Sequence, residues 1–181
     1  MSSPFAAAKS ADLKGSILLP SLVVPSGNKI IGTYINSTMA LHEALKKGAD
    51  EAVLMDKNGY ISEGSGENIF MAKGNKIYTP TTDHCLNGIT RQSVISIASD
   101  EGLEVIEKDL TYEDLANSDE AFFTGTAVEI TPVTTLDAKP IGSGKRGDIT
   151  RKLQSIYSDA ISGNSDKYSS WLTYVNPQAS D

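Results

Sequence analysis

The chain has 181 residues, a length typical of one domain of about 100–200 residues. Hydrophobic residues make up 39% and charged residues 22% of the sequence, which excludes a disordered chain and a low-complexity polymer. The 16 Lys and Arg residues are outnumbered by 23 Asp and Glu residues, for a net charge of −7. This balance disfavours binding to nucleic acid or to an anionic membrane surface. We therefore expect a folded domain with neither of these partners.

Cysteine usage and the N-terminal segment indicate the cellular compartment. The single cysteine, Cys85, cannot form an intrachain disulfide, and no second thiol or histidine cluster lies at metal-ligand spacing from it. The apolar run 17–25 is interrupted by two prolines and is too short to span a bilayer. We interpret residues 1–14 as a leader without chemistry and 15–175 as one mixed domain. A reducing, cytoplasmic location and no metal site are expected.

Hydrophobic periodicity and turn residues predict helices alternating with hairpins. A helix is predicted from about Ile30 to Lys47, ended by Gly48. Further helices are predicted from Gly88 to just before Gly102, over 112–117 with a capping box at Thr111 and Asp114, and over 149–161. Strands are predicted over 52–55, 60–62, 68–72, 76–79, 103–108, 121–124 and 128–133. The pattern indicates an α+β fold.

Several conspicuous residues have ordinary interpretations. The segment 142–146 resembles a phosphate loop, but its spacing fails the motif, and we predict a solvent-exposed turn. Cys85 is expected to be an inert small hydrophobe. Arg91 is predicted to pair with a nearby carboxylate such as Glu67. The two histidines have no partners at ligand spacing, so neither is predicted to carry chemistry.

Five features remain: Lys29, Tyr34, Glu63, the helix entrance 88–90 and the break 124–127 between two strands. Taken singly, each is ordinary: a surface lysine, a core tyrosine, a turn carboxylate, a helix start and a strand break. Together they form the inventory of a pyridoxal phosphate site. The aldehyde needs a lysine amine, the ring nitrogen needs a carboxylate, and the phosphate needs N–H groups at a helix N-terminus. A phenol and a threonine hydroxyl add hydrogen bonds.

At these residues the sequence resembles the class IV aminotransferase family, and within it the branched-chain amino acid group. The resemblance is carried by the segments 29–37, 56–70, 86–91 and 124–133. It implies that Lys29 is the catalytic lysine and that Glu63 pairs with the ring nitrogen. The implied cofactor-binding residues are Lys29, Tyr34, Glu63, Gly88, Ile89, Thr90, Gly125 and Thr126, and the implied substrate contacts are Thr126 and Ala127.

The resemblance also implies a fold, a reaction and an assembly. The fold is a mixed, mainly antiparallel sheet or pseudo-barrel flanked by helices. The reaction is pyridoxal-phosphate-dependent transfer of an amino group between Leu, Ile or Val and 2-oxoglutarate, in a homodimer or larger homo-oligomer. The family's small N-terminal domain is expected to be absent. Alternatives are a D-amino acid aminotransferase, an aminodeoxychorismate lyase, or a non-catalytic remnant. Thr33 and Asn87 depart from the family's common residues, and we interpret both as tolerated variation.

Overall fold

The computed structural model describes residues 6–7, 16–20 and 34–174. Its helices are α1 (Tyr34–Lys46), α2 (Ile89–Asp100), α3 (Tyr112–Ala116), α4 (Asp148–Ile161) and a 3-10 helix (Asp166–Trp171). Its strands are β1 (Ala6–Ala7), β2 (Ser16–Pro20), β3 (Glu51–Met55), β4 (Ile61–Gly64), β5 (Asn68–Lys73), β6 (Lys76–Thr79), β7 (Glu104–Glu107), β8 (Glu120–Gly125), β9 (Glu129–Val133), β10 (Thr135–Leu136) and β11 (Lys139–Pro140).

The strands form two sheets. The first has the order β11-β10-β2-β3-β4, with β1 paired to β2, and the second has the order β7-β6-β5-β8-β9. The parallel pairs are β10 with β2, β2 with β3, and β6 with β7. The remaining pairs of named strands are antiparallel. The predicted α+β class with mainly antiparallel pairing is therefore confirmed.

The centre of the second sheet is buried on both faces. Along β5, Ile69 and Met71 face a core that also contains residues of the first sheet, whereas Phe70 and Ala72 face α2 and α4. The rings of Phe70 and Phe122 stack across β5 and β8 at 5.2 Å. Because neither face of these strands meets water, their sequences are apolar throughout rather than alternating.

Most predicted elements are confirmed with small shifts. Strand β4 begins at Ile61 rather than Tyr60, because Tyr60 still belongs to the turn, where its carbonyl accepts from Asp56 N at 2.8 Å. The capping box of α3 is present as predicted. Helix α1 begins at Tyr34, and residues 30–33 of the predicted helix lie outside the described residues.

Some short elements were not predicted. Strands β10 and β11 are joined by Asp137 and Ala138, both with positive φ, at 55° and 59°. Such two-residue hairpins normally carry glycine or asparagine, so the usual sequence signal is missing here. Strand β1 lies within 1–14, where we expected only a leader, and β2 overlaps the start of the apolar run 17–25. The 3-10 helix after α4 was also not predicted.

The second sheet brings distant segments to one of its ends. Strand β5 begins at Asn68, which pairs with Thr124 near the end of β8. Strand β4 ends just before this point, at Gly64. Helix α2 packs against β8, and the N-terminal end of this helix meets Asn68 through Gly88. The ends of β4 and β8, the start of β5 and the start of α2 therefore lie together.

Candidate functional site

The predicted site residues fall into three groups. Glu63, the entrance of α2 and the turn after β8 lie at the shared end of the second sheet. Tyr34 is the first residue of α1, which packs through Ala40 and Ala44 onto the first sheet. Lys29 lies outside the described residues. The roles of Tyr34 and Lys29 stay predictions.

Glu63 is held by the loop that leads into α2. Its Oε2 atom accepts a hydrogen bond from the backbone N–H of Leu86 at 3.1 Å. Burial raises the pKa of Glu63 above its ordinary value, and the Leu86 N–H opposes this shift because it favours the charged form. The carboxyl group is thus partly desolvated and oriented by a backbone donor.

The start of α2 offers backbone donors to a ligand. Gly88 is the N-cap in extended conformation and has no side chain to cap the first turn, which also contains no acidic residue. Free N–H groups and the helix dipole favour an anion at such an end. Thr90 is buried, with its hydroxyl 3.4 Å from that of Tyr157, whereas Ile89 is 82% exposed. The geometry suits a phosphate group.

The turn after β8 faces the segment between β4 and β5. A Cβ atom on Gly125 would lie 3.5 Å from Cγ of Glu67 and 3.3 Å from a methyl of Val128. Thr126 and Ala127 are exposed. A groove of about 380 Å³ runs between this turn and α4. Its lining residues are Val128, Glu129, Ile130, Arg146, Arg151, Gln154, Ser155, Tyr157 and Ser158. Through Tyr157 the groove adjoins the start of α2.

A second carboxyl group of the site, Glu67, was predicted only as a candidate partner of Arg91. Burial and the neighbouring Glu51 and Glu63 carboxyl groups raise the pKa of Glu67 to about 7, although the Gly66 N–H, 3.0 Å from its Oε2, opposes the shift. Near neutral pH, Glu67 therefore exchanges a proton. Because Glu51 is 16 residues away in sequence, its proximity to Glu67 depends on the fold.

Arg91 does pair with a carboxylate, but the prediction of Glu67 is wrong. The guanidinium, only 2% exposed, contacts Glu107 at 2.5 Å and the carbonyl of Pro80 at 2.9 Å. A weaker contact reaches Asn87 Oδ1 at 3.3 Å. Glu107 lies on β7, brought alongside by the parallel pairing of β6 and β7, which sequence spacing does not reveal. Arg91 therefore anchors the loop that precedes α2.

His84 ties the same loop to other parts of the molecule. Its Nδ1 lies 3.2 Å from Asp56 and its Nε2 3.1 Å from Asp109, and its carbonyl accepts from the Ser62 hydroxyl. The sequence offered no signal for these contacts, because the partners come from separate turns and strands. Cys85 is 1% exposed, and burial raises its thiol pKa to about 12, which agrees with the predicted inert role.

The described parts of the chain contain neither a metal-binding cluster nor a membrane-spanning helix. Among residues 6–7, 16–20 and 34–174, no group of three or more His, Cys, Asp or Glu side chains is arranged to hold a metal ion. No helix within these ranges is long and apolar enough to cross a membrane. The segment 142–146 forms an exposed turn, as predicted.

Comparison with known proteins agrees with this geometry. A branched-chain-amino-acid aminotransferase of Pseudomonas aeruginosa is 49% identical over 144 residues, 80% of this chain and 47% of that protein. The crystal structure of a T.th. branched-chain amino acid aminotransferase complexed with N-(5'-phosphopyridoxyl)-L-glutamate superposes with a TM-score of 0.83 at 46% identity. The match covers 87% of this chain and 54% of that one. The holo-form of the Thermobaculum terrenum enzyme has a TM-score of 0.80 at 37% identity, covering 83% of this chain and 50% of that one.

The length of the match is a separate finding. The chain spans about half the length of the relatives that it matches. The sequence model of the family described as amino-transferase class IV matches residues 13–136, more than half of the chain. The chain therefore belongs to the class IV aminotransferase family.

Proposed function

We propose that this chain provides the pyridoxal-phosphate-binding part of a branched-chain amino acid aminotransferase. The proposed reaction transfers an amino group between L-Leu, L-Ile or L-Val and 2-oxoglutarate. The observation that carries the proposal is the hydrogen bond from Leu86 N–H to Glu63, because it joins a buried carboxyl group to the loop that opens the uncapped α2. These are the two groups that the ring nitrogen and the phosphate require.

The residues of the site fit this cofactor. Glu63 would accept a hydrogen bond from the protonated ring nitrogen, while the N–H groups of Ile89 and Thr90 and the hydroxyl of Thr126 would hold the phosphate. Pyridoxal phosphate supplies an electron-withdrawing ring that stabilises negative charge at the substrate Cα. The Leu86 N–H favours the anionic form of Glu63, which is the form that keeps a ring nitrogen protonated.

The substrate side is proposed to lie at the turn after β8. Thr126 and Ala127 are exposed there, and backbone N–H groups in such a turn suit a carboxylate. Lys29 is proposed to hold the cofactor covalently and, when the substrate amine takes its place, to carry the proton between the substrate Cα and C4′ of the cofactor. Because a lysine amine must be unprotonated to take up that proton, we expect a lowered pKa for its proposed buried position.

We also propose a homodimer or larger homo-oligomer, as the family resemblance implies, and a cytoplasmic location. The buried, unreactive Cys85 suits a reducing compartment. Among the described residues, no feature of the site favours the D-amino acid aminotransferase, the aminodeoxychorismate lyase or the non-catalytic remnant. The relatives described above are branched-chain aminotransferases. Sedimentation equilibrium tests the assembly, and a monomer at micromolar concentration would contradict it.

The proposed reaction is tested by glutamate formation from 2-oxoglutarate with L-leucine or D-leucine. Two proteins are compared: this chain alone, and a chimera that joins it to the N-terminal half of the Pseudomonas aeruginosa relative. We expect the chimera to use L-leucine and the chain alone to be far slower, because contacts remote from the reacting bond help to position the substrate. A preference for D-leucine, or a chimera without activity, would contradict the proposed reaction. Equal specificity constants would contradict the need for the remote contacts.

A further inference from the structure

We propose that Asn68 is a positioning residue. It fixes the position of Glu63, the carboxylate for the ring nitrogen, relative to the start of α2, which would bind the phosphate. The inference rests on the proposed function, because it concerns how the chain would hold both ends of pyridoxal phosphate. Asn68 is the first residue of β5 and is only 5% exposed. A buried amide needs hydrogen-bond partners, and the partner of the Asn68 amide shows which segment of the chain it holds in place.

Asn68 holds the loop before α2 by its backbone. Its Nδ2 atom donates to the carbonyl of Leu86 at 2.6 Å. The N–H of Leu86 donates to Glu63 Oε2 at 3.1 Å. Both polar backbone groups of Leu86 are therefore bound by side chains from the β4–β5 region. If the Asn68 amide is removed, the Leu86 carbonyl keeps the Gly88 N–H as a local donor at 2.9 Å, and the contact with Glu63 is the one that still ties Leu86 to the β4–β5 region.

The other end of the Asn68 amide occupies the space beside Gly88. A Cβ atom added to Gly88 would lie 2.3 Å from Oδ1 and 3.5 Å from Cγ of Asn68. Both are side-chain atoms of a buried residue that is already hydrogen-bonded, so the amide has little room to yield. Glycine at the N-cap of α2 thus allows the helix start to approach β5 closely.

One side chain therefore connects both halves of the proposed cofactor site, because Asn68 lies against Gly88 at the helix start and is linked to Glu63 through Leu86. The distance between ring nitrogen and phosphate is set by the covalent structure of the cofactor, so Glu63 and the α2 N–H groups must be placed in register. Displacements of about 1 Å in such supporting residues cost binding and rate. Asn68 contacts neither reacting atom, and its role is to position the groups that do.

The test measures two quantities in the wild type, N68A and two control variants. These are the dissociation constant for pyridoxal phosphate and the free energy of unfolding of the cofactor-free chain. N75A is the first control, because Asn75 Nδ2 also donates to a backbone carbonyl beside α2, that of Gly102 at 3.1 Å, but at the opposite end of the helix. S118A is the second, because it removes a buried hydroxyl that donates to a backbone carbonyl away from the site.

We expect N68A to weaken pyridoxal phosphate binding about tenfold, which corresponds to loss of a buried hydrogen bond. Binding by N75A and S118A should stay within about twofold of the wild type, even where S118A loses as much stability. If Asn68 were purely structural, N68A and S118A would lose the same affinity for pyridoxal phosphate at the same loss of unfolding free energy. That result would overturn the proposal.

A double-mutant cycle tests the contact itself. G88A should weaken binding strongly in the wild type and much less in N68A, because the overlapping oxygen is then gone. Additive effects of the two substitutions would contradict the proposed contact. Should N68A not fold, N68S takes its place, since a serine hydroxyl is too short to span both contacts. Failure of the wild type to bind pyridoxal phosphate would contradict the proposed function, whereas tight binding that N68A leaves unchanged would contradict the role of Asn68 alone.

Discussion

The two ends of α2 are built differently. At the C-terminal end, Gly102 adopts a φ of 76°, and the N–H of Leu103 donates to Ala98 O at 3.0 Å, so backbone groups of the last turn are satisfied internally. Nearby charges on Glu101 and Asp100 form ion pairs with surface lysines. At the N-terminal end, no side chain caps the helix, and a buried Arg91 anchors the preceding loop.

This difference separates a structural helix end from one prepared for a ligand. The C-terminal end needs nothing further, because its polar groups are bonded within the chain or exposed to water. The N-terminal end has no side-chain cap from its N-cap Gly88 and has carboxyl groups of raised pKa nearby, at Glu63 and Glu67. Unsatisfied, preorganised groups cost stability and are typical of functional sites.

Loss of the Arg91 anchor should have the largest effect. R91M leaves the Pro80 carbonyl without its guanidinium donor and Glu107 without its cation. We expect the free energy of unfolding to fall by about 3 kcal/mol. This is near the lower limit of the destabilisation seen when one partner of a buried ion pair is removed, because Glu107 is half exposed. Urea denaturation measures this change. R151M, which removes an exposed pair with Asp148, is the control and should leave stability unchanged. Equal effects of the two substitutions would contradict the anchor.

Replacement of Glu63 should affect chemistry more than binding. In E63Q an amide can still hydrogen-bond the ring nitrogen but no longer favours its protonation, so negative charge at the substrate Cα is less well stabilised. We expect pyridoxal phosphate affinity within a few-fold of the wild type and a rate lowered about a hundredfold, or about 2.7 kcal/mol. Single-turnover measurements with L-leucine test this, with the exposed E113Q as control. A normal rate in E63Q would identify Glu63 as an ordinary turn residue.

Glu67 should make stability depend on pH. Because its pKa rises from 4.5 in the unfolded chain to about 7 in the folded one, the folded state binds this proton more tightly. The stabilisation is therefore complete below about pH 4.5 and is lost as pH rises to about 7. The wild type should lose of the order of 1–2 kcal/mol of stability over this range, and E67Q should not show this loss. The expected loss is smaller than the full pKa shift would give, because Glu67 titrates together with Glu51. Denaturation of cofactor-free wild type, E67Q and E113Q from pH 4 to pH 8 tests this. Parallel curves for wild type and E67Q would contradict it.

The smallest effect concerns a helix end without ligand chemistry. Thr111 caps α3 by accepting from Asp114 N at 3.1 Å in a complete capping box. T111A should lower stability by about 1 kcal/mol without changing pyridoxal phosphate affinity. S165A is the matched control, since Ser165 is the N-cap of the 3-10 helix but makes no capping hydrogen bond. A change in cofactor affinity in T111A would contradict the distinction between structural and ligand-binding helix ends.

Local signals predicted the elements that carry strong periodicity or turn chemistry. Helix α4 and the hairpin through Gly74 follow from apolar spacing and a single glycine with positive φ. The hairpin through Asp137 and Ala138 lacked that signal, because tertiary packing holds non-glycine residues in a left-handed conformation. Sequence patterns are informative where local preferences and the fold agree, and they fail where the fold overrides them.

For the candidate site, the sequence motifs predicted residue types and order, but not contacts. Glu63 and Gly88 were identified by resemblance, whereas their connection through Leu86 and Asn68 appears only in three dimensions. The partner of Arg91 was predicted wrongly because Glu107 is 16 residues away and reaches it through parallel strand pairing. Such contacts depend on how segments meet, which no single segment encodes.

We propose that the chain holds pyridoxal phosphate with Lys29 as its covalent attachment. The most direct measurement is borohydride reduction of the cofactor-loaded protein, followed by digestion and mass spectrometry to locate the pyridoxyl group. Wild type is compared with K29A and with K57A, which removes an exposed turn lysine. We predict a pyridoxyl group on Lys29 in wild type and K57A and no attachment in K29A. A pyridoxyl group on another lysine, or the same labelling in K29A, would contradict the account.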